Sequence, residues 1–353
     1  MVLLKEKHML ELHHGNVLSD DTEAIVNTVN CEGFMGKGIA LQFKKAYPDN
    51  YKVYHNACNR KEVRIGKMLV YETGSTFNPK YIINFPTKNK WKENSRIEYI
   101  KEGLLDLKRV ISKLNIDSIA VPPLGCGLGG LKWDEVKPLI IQELTEIKKL
   151  DVHLYPPEGA PSAANMLIGT LRPALTKARA MLLSLMKQYK ELSYSMSLIE
   201  IQKMAYFLQE SGENLRLQFV KEKYGPYAHN LNKVLELLEG HYITGYGDTQ
   251  KRNVEIQLLE YNAEEIEDFL KGEPHSIEHL KRVSELIMGF ETPYSMELLA
   301  TVHWVATKEI PSSSDLQICI DRIQKWNPRK KDIFLPQHIE IAWQRLKEQG
   351  WMN

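Results

Sequence analysis

Two periodicities divide the 353-residue chain. Up to about residue 157, short apolar runs alternate with amphipathic stretches. The strand-like runs are 10–18, 24–30, 67–72, 80–87, 118–124 and 151–157. The helix-like ones are 37–47, 50–60, 97–115 and 133–149. Within 97–115, Ile100, Leu104, Leu107, Ile111 and Leu114 recur three or four residues apart, so one face is buried. Short apolar strands between such helices predict a sheet covered on both faces, an α/β fold of three layers, α/β/α.

The pattern breaks at "YPPEGAPSAAN" (155–165), where Pro156, Pro157, Gly159 and Pro161 cluster. The expected organisation is one domain over 1–157, a linker over 158–164, and a mainly α-helical domain over 165–353. In that second part helical periods fill 166–192, 197–212, 229–240, 276–290, 295–309 and 338–350, with one strand at 253–261.

Composition excludes several classes. Hydrophobic residues at 43% and charged residues at 26% are those of a soluble globular chain. No run approaches the roughly 20 apolar residues of a membrane helix, and the N-terminus lacks a signal-peptide pattern. Cys31, Cys58, Cys126 and Cys319 form no CxxC pair, which speaks against a zinc site or a disulfide framework and for a reducing, cytoplasmic setting. No metal and no cofactor are expected. Net charge is +1, but residues 41–101 hold 13 Lys and Arg against 5 Asp and Glu. That local excess fits either a solvated face or a patch for a polyanion.

Two glycine-rich loops follow predicted strands: "NCEGFMGKGIA" (30–40) and "PPLGCGLGGLKW" (122–133). Each leads into a helix. Glycine lets backbone N–H groups approach phosphate oxygens, and a helix N-terminus adds a favourable dipole. Neither loop fits a P-loop or a dinucleotide fingerprint. Two such loops at strand ends of one sheet predict a gripped diphosphate.

Together, "GNVLSDDTEAIVNTVNCEGFMGKGIALQFKKAYP", "YIINFPTKNKW" and "VPPLGCGLGGLKW" resemble the macrodomain, the ADP-ribose-binding α/β/α fold, over residues 9–157. More narrowly they are similar to the macrodomain of the DarG family, antitoxins that remove the ADP-ribose a DarT toxin attaches to thymidine in single-stranded DNA. The resemblance implies an ADP-ribose site made of Asn16, Val17, Thr28, Val29, Asn30, Gly36, Lys37, Gly38, Ile39, Thr87, Gly125, Cys126, Gly127, Leu128 and Gly129. Asn16 replaces the aspartate of ordinary macrodomains and would read the adenine amino group through its side-chain carbonyl. Asn30 would bond a ribose hydroxyl. Gly36 to Ile39 and Gly125 to Gly129 would hold the phosphates from two sides.

By the same resemblance Lys88, directly after Thr87, is the catalytic candidate. It would attack the anomeric carbon as a free amine or stabilise the departing thymine as a cation. Related protein-directed glycohydrolases carry an aspartate where this chain has Gly129, so an Asp–Lys pair is absent. Lys90, Trp91, Lys92 and Arg96 would line the path of the DNA strand, phosphate contacts with one stacking ring. Against that stands a solvated loop with Trp91 tucked into the core.

In the second domain, "IQKMAYFLQ" (201–209) and "KYGPYAHNL" (223–231) are similar to antitoxin-associated domains of the SocA-like, Panacea type. The expected partner is a DarT-like toxin. The partners of the first domain would be ADP-ribosylated single-stranded DNA and, as product, ADP-ribose. The alternatives are an ADP-ribose reader without turnover and a protein-directed hydrolase.

Overall fold

The computed structural model describes residues 9–157, 166–192, 196–247, 255–259, 262–309 and 315–352. The expected linker, 158–164, lies outside them. The chain divides into two compact units, Met1–Leu171 with Gly247–Arg252, and Arg172–Tyr246 with Asn253–Asn353. Among the described residues no helix is long and apolar enough to cross a membrane.

The first unit is the expected α/β/α arrangement. Its strands are β1 (Met9–Leu12), β2 (Ala24–Asn30), β3 (Leu69–Glu72), β4 (Tyr81–Lys88), β5 (Ser118–Val121) and β6 (Asp151–Leu154). They form one sheet in the order β1-β6-β5-β2-β4-β3, parallel throughout except for β3, which runs antiparallel to β4. Helices α1 (Gly38–Ala46), α2 (Pro48–Asn59), α3 (Ile97–Leu114) and α4 (Trp133–Leu144) cover it.

Alternation along the strands builds the two cores. Ala24, Val26, Ile83, Phe85, Ile119 and Val121 point into one with Ile100, Leu104, Leu107, Val136 and Ile140 of α3 and α4. Ile25, Ile82 and Ala120 point the other way, to Phe43 of α1. Phe85 is completely buried, which contributes about 1.5–3 kcal/mol. Its ring lies so close to Gly103 of α3 that a Cβ there would meet it at 2.1 Å.

A buried polar chain crosses the second of these layers. Asn27 Nδ2 donates to Asn84 Oδ1 at 2.9 Å, and Asn84 Nδ2 donates to Asn50 Oδ1 of α2 at 2.8 Å. All three asparagines are fully buried. Slipping β2 against β4 by one residue would orphan these groups, so the chain fixes their register. The pairing runs straight from Ala24–Tyr81 to Val29–Pro86 and then shifts: Asn30 partners Lys88, and Thr87 is the extra residue of a bulge.

Several expected boundaries move for local reasons. The run 10–18 is a strand only to Leu12; Gly15 takes φ +111° and Asn16 caps a short 3-10 turn over Val17–Ser19. The strand expected over 118–124 stops at Val121, because Pro122 and Pro123 cannot donate to a ladder. The helix expected over 133–149 ends at Leu144.

The second unit is mainly helical: α5 (Lys177–Leu192), α6 (Leu198–Glu210), α7 (Leu231–Leu238), α8 (Ala263–Lys271), α9 (Pro274–Ile287), α10 (Pro293–Trp304), α11 (Leu316–Gln324), α12 (Pro328–Ile333) and α13 (Pro336–Glu348). The helix expected from 166 begins only at Lys177, beyond Pro173. A hairpin of β7 (Phe219–Glu222) and β8 (Gly225–Ala228) was not legible in the sequence. Of the strand expected over 253–261, β10 (Gln257–Leu258) pairs with β9 (Ile243–Thr244). Beneath the hairpin lies a buried ionic group. Lys330 Nζ donates to Glu297 Oε1 at 2.6 Å and to Thr301 Oγ1 at 3.0 Å, Arg329 reaches the same carboxylate at 2.7 Å, and Lys203 Nζ donates to the Pro226 carbonyl at 2.6 Å.

Candidate active site

Three strands deliver their C-terminal ends to one edge of the sheet. β2 ends at Asn30, β4 at Lys88, and β5 runs into the loop 122–132. The bulge sets Lys88 beside Asn30. Thr28, Val29 and Thr87 lie just inside this edge, with Thr87 Oγ1 donating to the Val29 carbonyl at 3.4 Å. Val17 is buried against Ile25 and Phe43, and Ile39 packs on the same cluster.

The two glycine loops approach each other. A Cβ on Gly38, which takes φ +59°, would stand 3.7 Å from Leu128 Cδ1. Gly36 and Lys37 lead into α1, with Lys37 in extended conformation at its N-cap and no side chain capping that end. The Gly38 N–H donates to the carbonyl of Gly247 at 2.8 Å, a residue that clusters with the first unit. The second loop is closed on itself: Cys126 N–H donates to the Pro123 carbonyl, Gly130 N–H to Gly127 and Leu131 N–H to Gly125. Burial pushes the Cys126 thiol up to about 11, so it stays protonated at neutral pH. Leu128 is exposed at the loop's tip.

Lys88 is half-buried, and its Nζ donates to the Leu128 carbonyl at 3.0 Å. The amine thus lies against the second glycine loop, at the end of β4. Burial lowers its pKa below the ordinary lysine value. Lys90, Trp91, Lys92 and Arg96 are all exposed on the loop that follows. Trp91 is not tucked into the core: it is 52% exposed, with Lys92 Nζ 5.0 Å from its ring centre. Lys90 pairs with Glu93 at 3.6 Å, and Arg96 packs on the Tyr99 ring.

Four expected ligand contacts are otherwise engaged: the Gly38 and Cys126 N–H groups by the carbonyls named above, and the side chains of Asn16 and Asn30. Asn16 Oδ1, the atom assigned to the adenine amino group, accepts from the Leu18 N–H at 3.0 Å. The polar atom of Asn16 left buried without a partner is its amide nitrogen. Asn30 works on its own loop: its Nδ2 donates to the Phe34 carbonyl at 2.6 Å, and its Oδ1 accepts from the Glu32 N–H and the Tyr54 hydroxyl.

Sequence reasoning missed three neighbours. Ser95 is buried with an unpartnered hydroxyl, and its N–H donates to the Gly129 carbonyl at 2.9 Å. Phe34 stands exposed beside Trp91, with ring centres 6.4 Å apart. Asp20 accepts from the Tyr155 hydroxyl at 2.6 Å and lies 2.9 Å from His153 Nδ1. Burial pushes its carboxyl up, and these hydrogen bonds more than offset that, holding it below the usual carboxylate value. His13 stacks on His153, and the donor atoms of His13, Asp20 and His153 fall within 4.8 Å of one another. The Asp20 oxygens also accept from the Thr22 N–H, so the carboxylate ties this cluster to the β1–β6 edge.

Comparison with known proteins places the chain in a family. The Macro domain family matches residues 26–140. The chain is 46% identical to the DNA ADP-ribosyl glycohydrolase of Thermus aquaticus over 342 residues, 97% of this chain and 94% of that protein. The chain belongs to the DarG family. The DNA ADP-ribosyl glycohydrolase of Mycobacterium tuberculosis is 41% identical over 353 residues, covering 96% and 99% of the two chains. A DNA ADP-ribosyl transferase–glycohydrolase fusion protein of Thermosipho africanus is 35% identical over 169 residues, 44% of this chain and 43% of that one. Among solved structures, the macrodomain of Mycobacterium tuberculosis DarG shares 52% identity, covers 43% of this chain and all of that one, and gives a TM-score of 0.43. Within the DarG family frame, the macrodomain is the first unit, and the site just described lies at its C-terminal strand edge.

Proposed function

We propose that this DarG-family hydrolase releases ADP-ribose from thymidine bases of single-stranded DNA, with Lys88 as the catalytic group, and so reverses the modification made by a cognate DarT-like toxin. Curated relatives that match nearly the whole chain, those of Thermus aquaticus and Mycobacterium tuberculosis among them, are named DNA ADP-ribosyl glycohydrolases. The relative in which a transferase and a glycohydrolase share one chain supports the pairing with a toxin.

The observation that carries the reading is the Lys88 amine, partly desolvated, 3.0 Å from the Leu128 carbonyl between the two glycine loops. In this reading the loops hold the diphosphate through backbone N–H groups other than those of Gly38 and Cys126, which protein carbonyls already take, and the distal ribose lies over the ends of β2 and β4. Desolvation without a carboxylate at position 129 favours the uncharged amine, which supports attack by Nζ on the anomeric carbon. The C–N bond to thymine breaks as the new bond to Nζ forms, and the base leaves with the electron pair and takes up a proton. Water then cleaves the lysine adduct, and no cofactor is needed. Lys90, Lys92 and Arg96 would meet strand phosphates.

The test is an oligonucleotide bearing ADP-ribose on one thymidine, incubated with the wild-type chain and with Lys88→Ala, and read by gel shift and mass. Release by the wild type alone supports the reading. Release by both moves the chemistry off Lys88, and release by neither leaves an ADP-ribose reader. Cyanoborohydride added during turnover should leave ADP-ribose covalently on the wild-type chain; its absence there would assign Lys88 the electrostatic role instead. The second unit is proposed to hold the toxin. A toxin that co-elutes equally well with residues 1–157 would remove that assignment.

A further inference from the structure

Two large aromatic rings stand half in solvent on the loops that leave the ends of β2 and β4. Phe34 is 53% exposed and Trp91 52%. Their centres are 6.4 Å apart at an interplanar angle of 63°, an edge-to-face pair. Phe34 lies four residues beyond Asn30 and Trp91 three beyond Lys88, and Asn30 and Lys88 are register partners at the ends of β2 and β4. The pair therefore rises from the same strand ends as the catalytic amine.

The loop that carries Phe34 is held in place. Asn30 bonds both the carbonyl and the N–H of Phe34, at 2.6 and 3.3 Å. The Trp91 N–H donates to the Glu32 carboxylate at 2.9 Å, which ties the two ring-bearing loops together. The Cys31 N–H donates to the Asn89 carbonyl at 3.1 Å. Gly33 takes φ +86°, and a Cβ there would meet His55 Nδ1 at 2.9 Å. Half exposed, each ring forgoes about half of the 1.5–3 kcal/mol that full burial contributes. A braced loop that keeps a phenylalanine in water, next to a second exposed ring, marks a binding surface.

We infer that Phe34 and Trp91 form a stacking corner for the nucleobase from which ADP-ribose is released, with Phe34 a residue that positions the base against Lys88. The inference rests on the reaction proposed above. The corner suits a flat, neutral, π-faced group, which lies over one ring and meets the edge of the other. A nucleobase has that shape, and its flanking phosphates match Lys90 and Lys92. An acidic protein side chain bearing ADP-ribose would have no use for two ring faces.

Phe34→Ala and Phe34→Trp, made in the full chain, test this. Stacking on one ring is worth ~1–3 kcal/mol per base, so Phe34→Ala should lower kcat/KM on the thymidine-modified oligonucleotide by about fivefold to a hundredfold. Its affinity for free ADP-ribose, by calorimetry, and its Tm should stay at wild-type values, and Phe34→Trp should restore turnover. Unchanged turnover in Phe34→Ala would overturn the inference. So would a fall in ADP-ribose affinity matching the fall in turnover, which would make the loop a part of the ADP-ribose site. If the wild-type chain releases nothing, the proposed reaction falls, and anisotropy with an unmodified thymidine oligonucleotide still decides the corner. Weaker binding by Phe34→Ala would keep it, and equal binding would remove it.

Discussion

The Ser95 hydroxyl occupies the place where a side chain on Gly129 would begin: a Cβ built there meets Ser95 Oγ at 2.3 Å and the Gly125 carbonyl oxygen at the same distance. Gly129→Ala should therefore lose about 1–3 kcal/mol of stability, the cost of overpacking. Adding Ser95→Ala should recover part of that loss, leaving the share due to the Gly125 carbonyl. Denaturant melts of both single variants and the double variant give the coupling, and additive effects would show that the two positions are independent.

The exposed residues after Lys88 predict a separation of functions. Lys90→Glu combined with Lys92→Glu should weaken processing of modified DNA and flatten its salt dependence, while leaving affinity for free ADP-ribose at the wild-type level. Turnover across a salt series, with calorimetry on ADP-ribose, makes the comparison. Equal loss of both would place these lysines in the ADP-ribose site.

The buried asparagine chain predicts a cost in stability without a charge in sight. Asn84→Leu leaves Asn27 Nδ2 and Asn50 Oδ1 without their partner inside the sheet–α2 layer. Each buried orphan costs about 1–3 kcal/mol, so a loss of several kcal/mol is expected, read by urea unfolding of the first unit. A loss below 1 kcal/mol would show that the layer accommodates the leucine and rehydrates the orphans.

Charge in the second unit predicts a pH dependence. Burial lowers Lys203 to about 7 and Lys330 to about 8, the latter despite its bond to Glu297. The unfolded chain then binds more protons between about 7 and 10, so stability should rise with pH across that window and fall as pH drops through the folded values. Glu297→Gln leaves Lys330 and Arg329 without their counter-charge and should cost about 3–5 kcal/mol at neutral pH. Thermal melts of the wild type and Glu297→Gln from pH 7 to 9.5 measure both effects. A flat profile would mean that Lys203 and Lys330 titrate as they do in the unfolded chain.

What the sequence told of all this depended on how local each signal was. β2 reads cleanly because "AIV" opens it as an apolar, β-branched run, and α3 reads cleanly because its isoleucines and leucines keep the helical period. The hairpin at 219–228 escaped because its first strand, "FVKE", is exposed on three of its four residues, with no apolar alternation to mark it. At the site, Lys88 stands out only through the macrodomain resemblance, whereas the glycines announce themselves by type. Ser95 and Asn30 do not: whether a hydroxyl lies against Gly129, or an amide bonds Phe34 instead of a ligand, depends on chain brought together across the fold.

The bulge at the end of β4 makes the candidate chemistry a matter of counting. Thr87 is the one residue without a partner on β2, and Lys88 faces Asn30 because of it. Side chains alternate along a strand, so the extra residue reverses which of two neighbours meets the ligand edge. Deleting Thr87 would remove a single residue of the expected site and also bring the rest of that strand end to β2 in the wrong phase. The reading frame of the strand, as much as the lysine, decides which side chain stands beside Asn30.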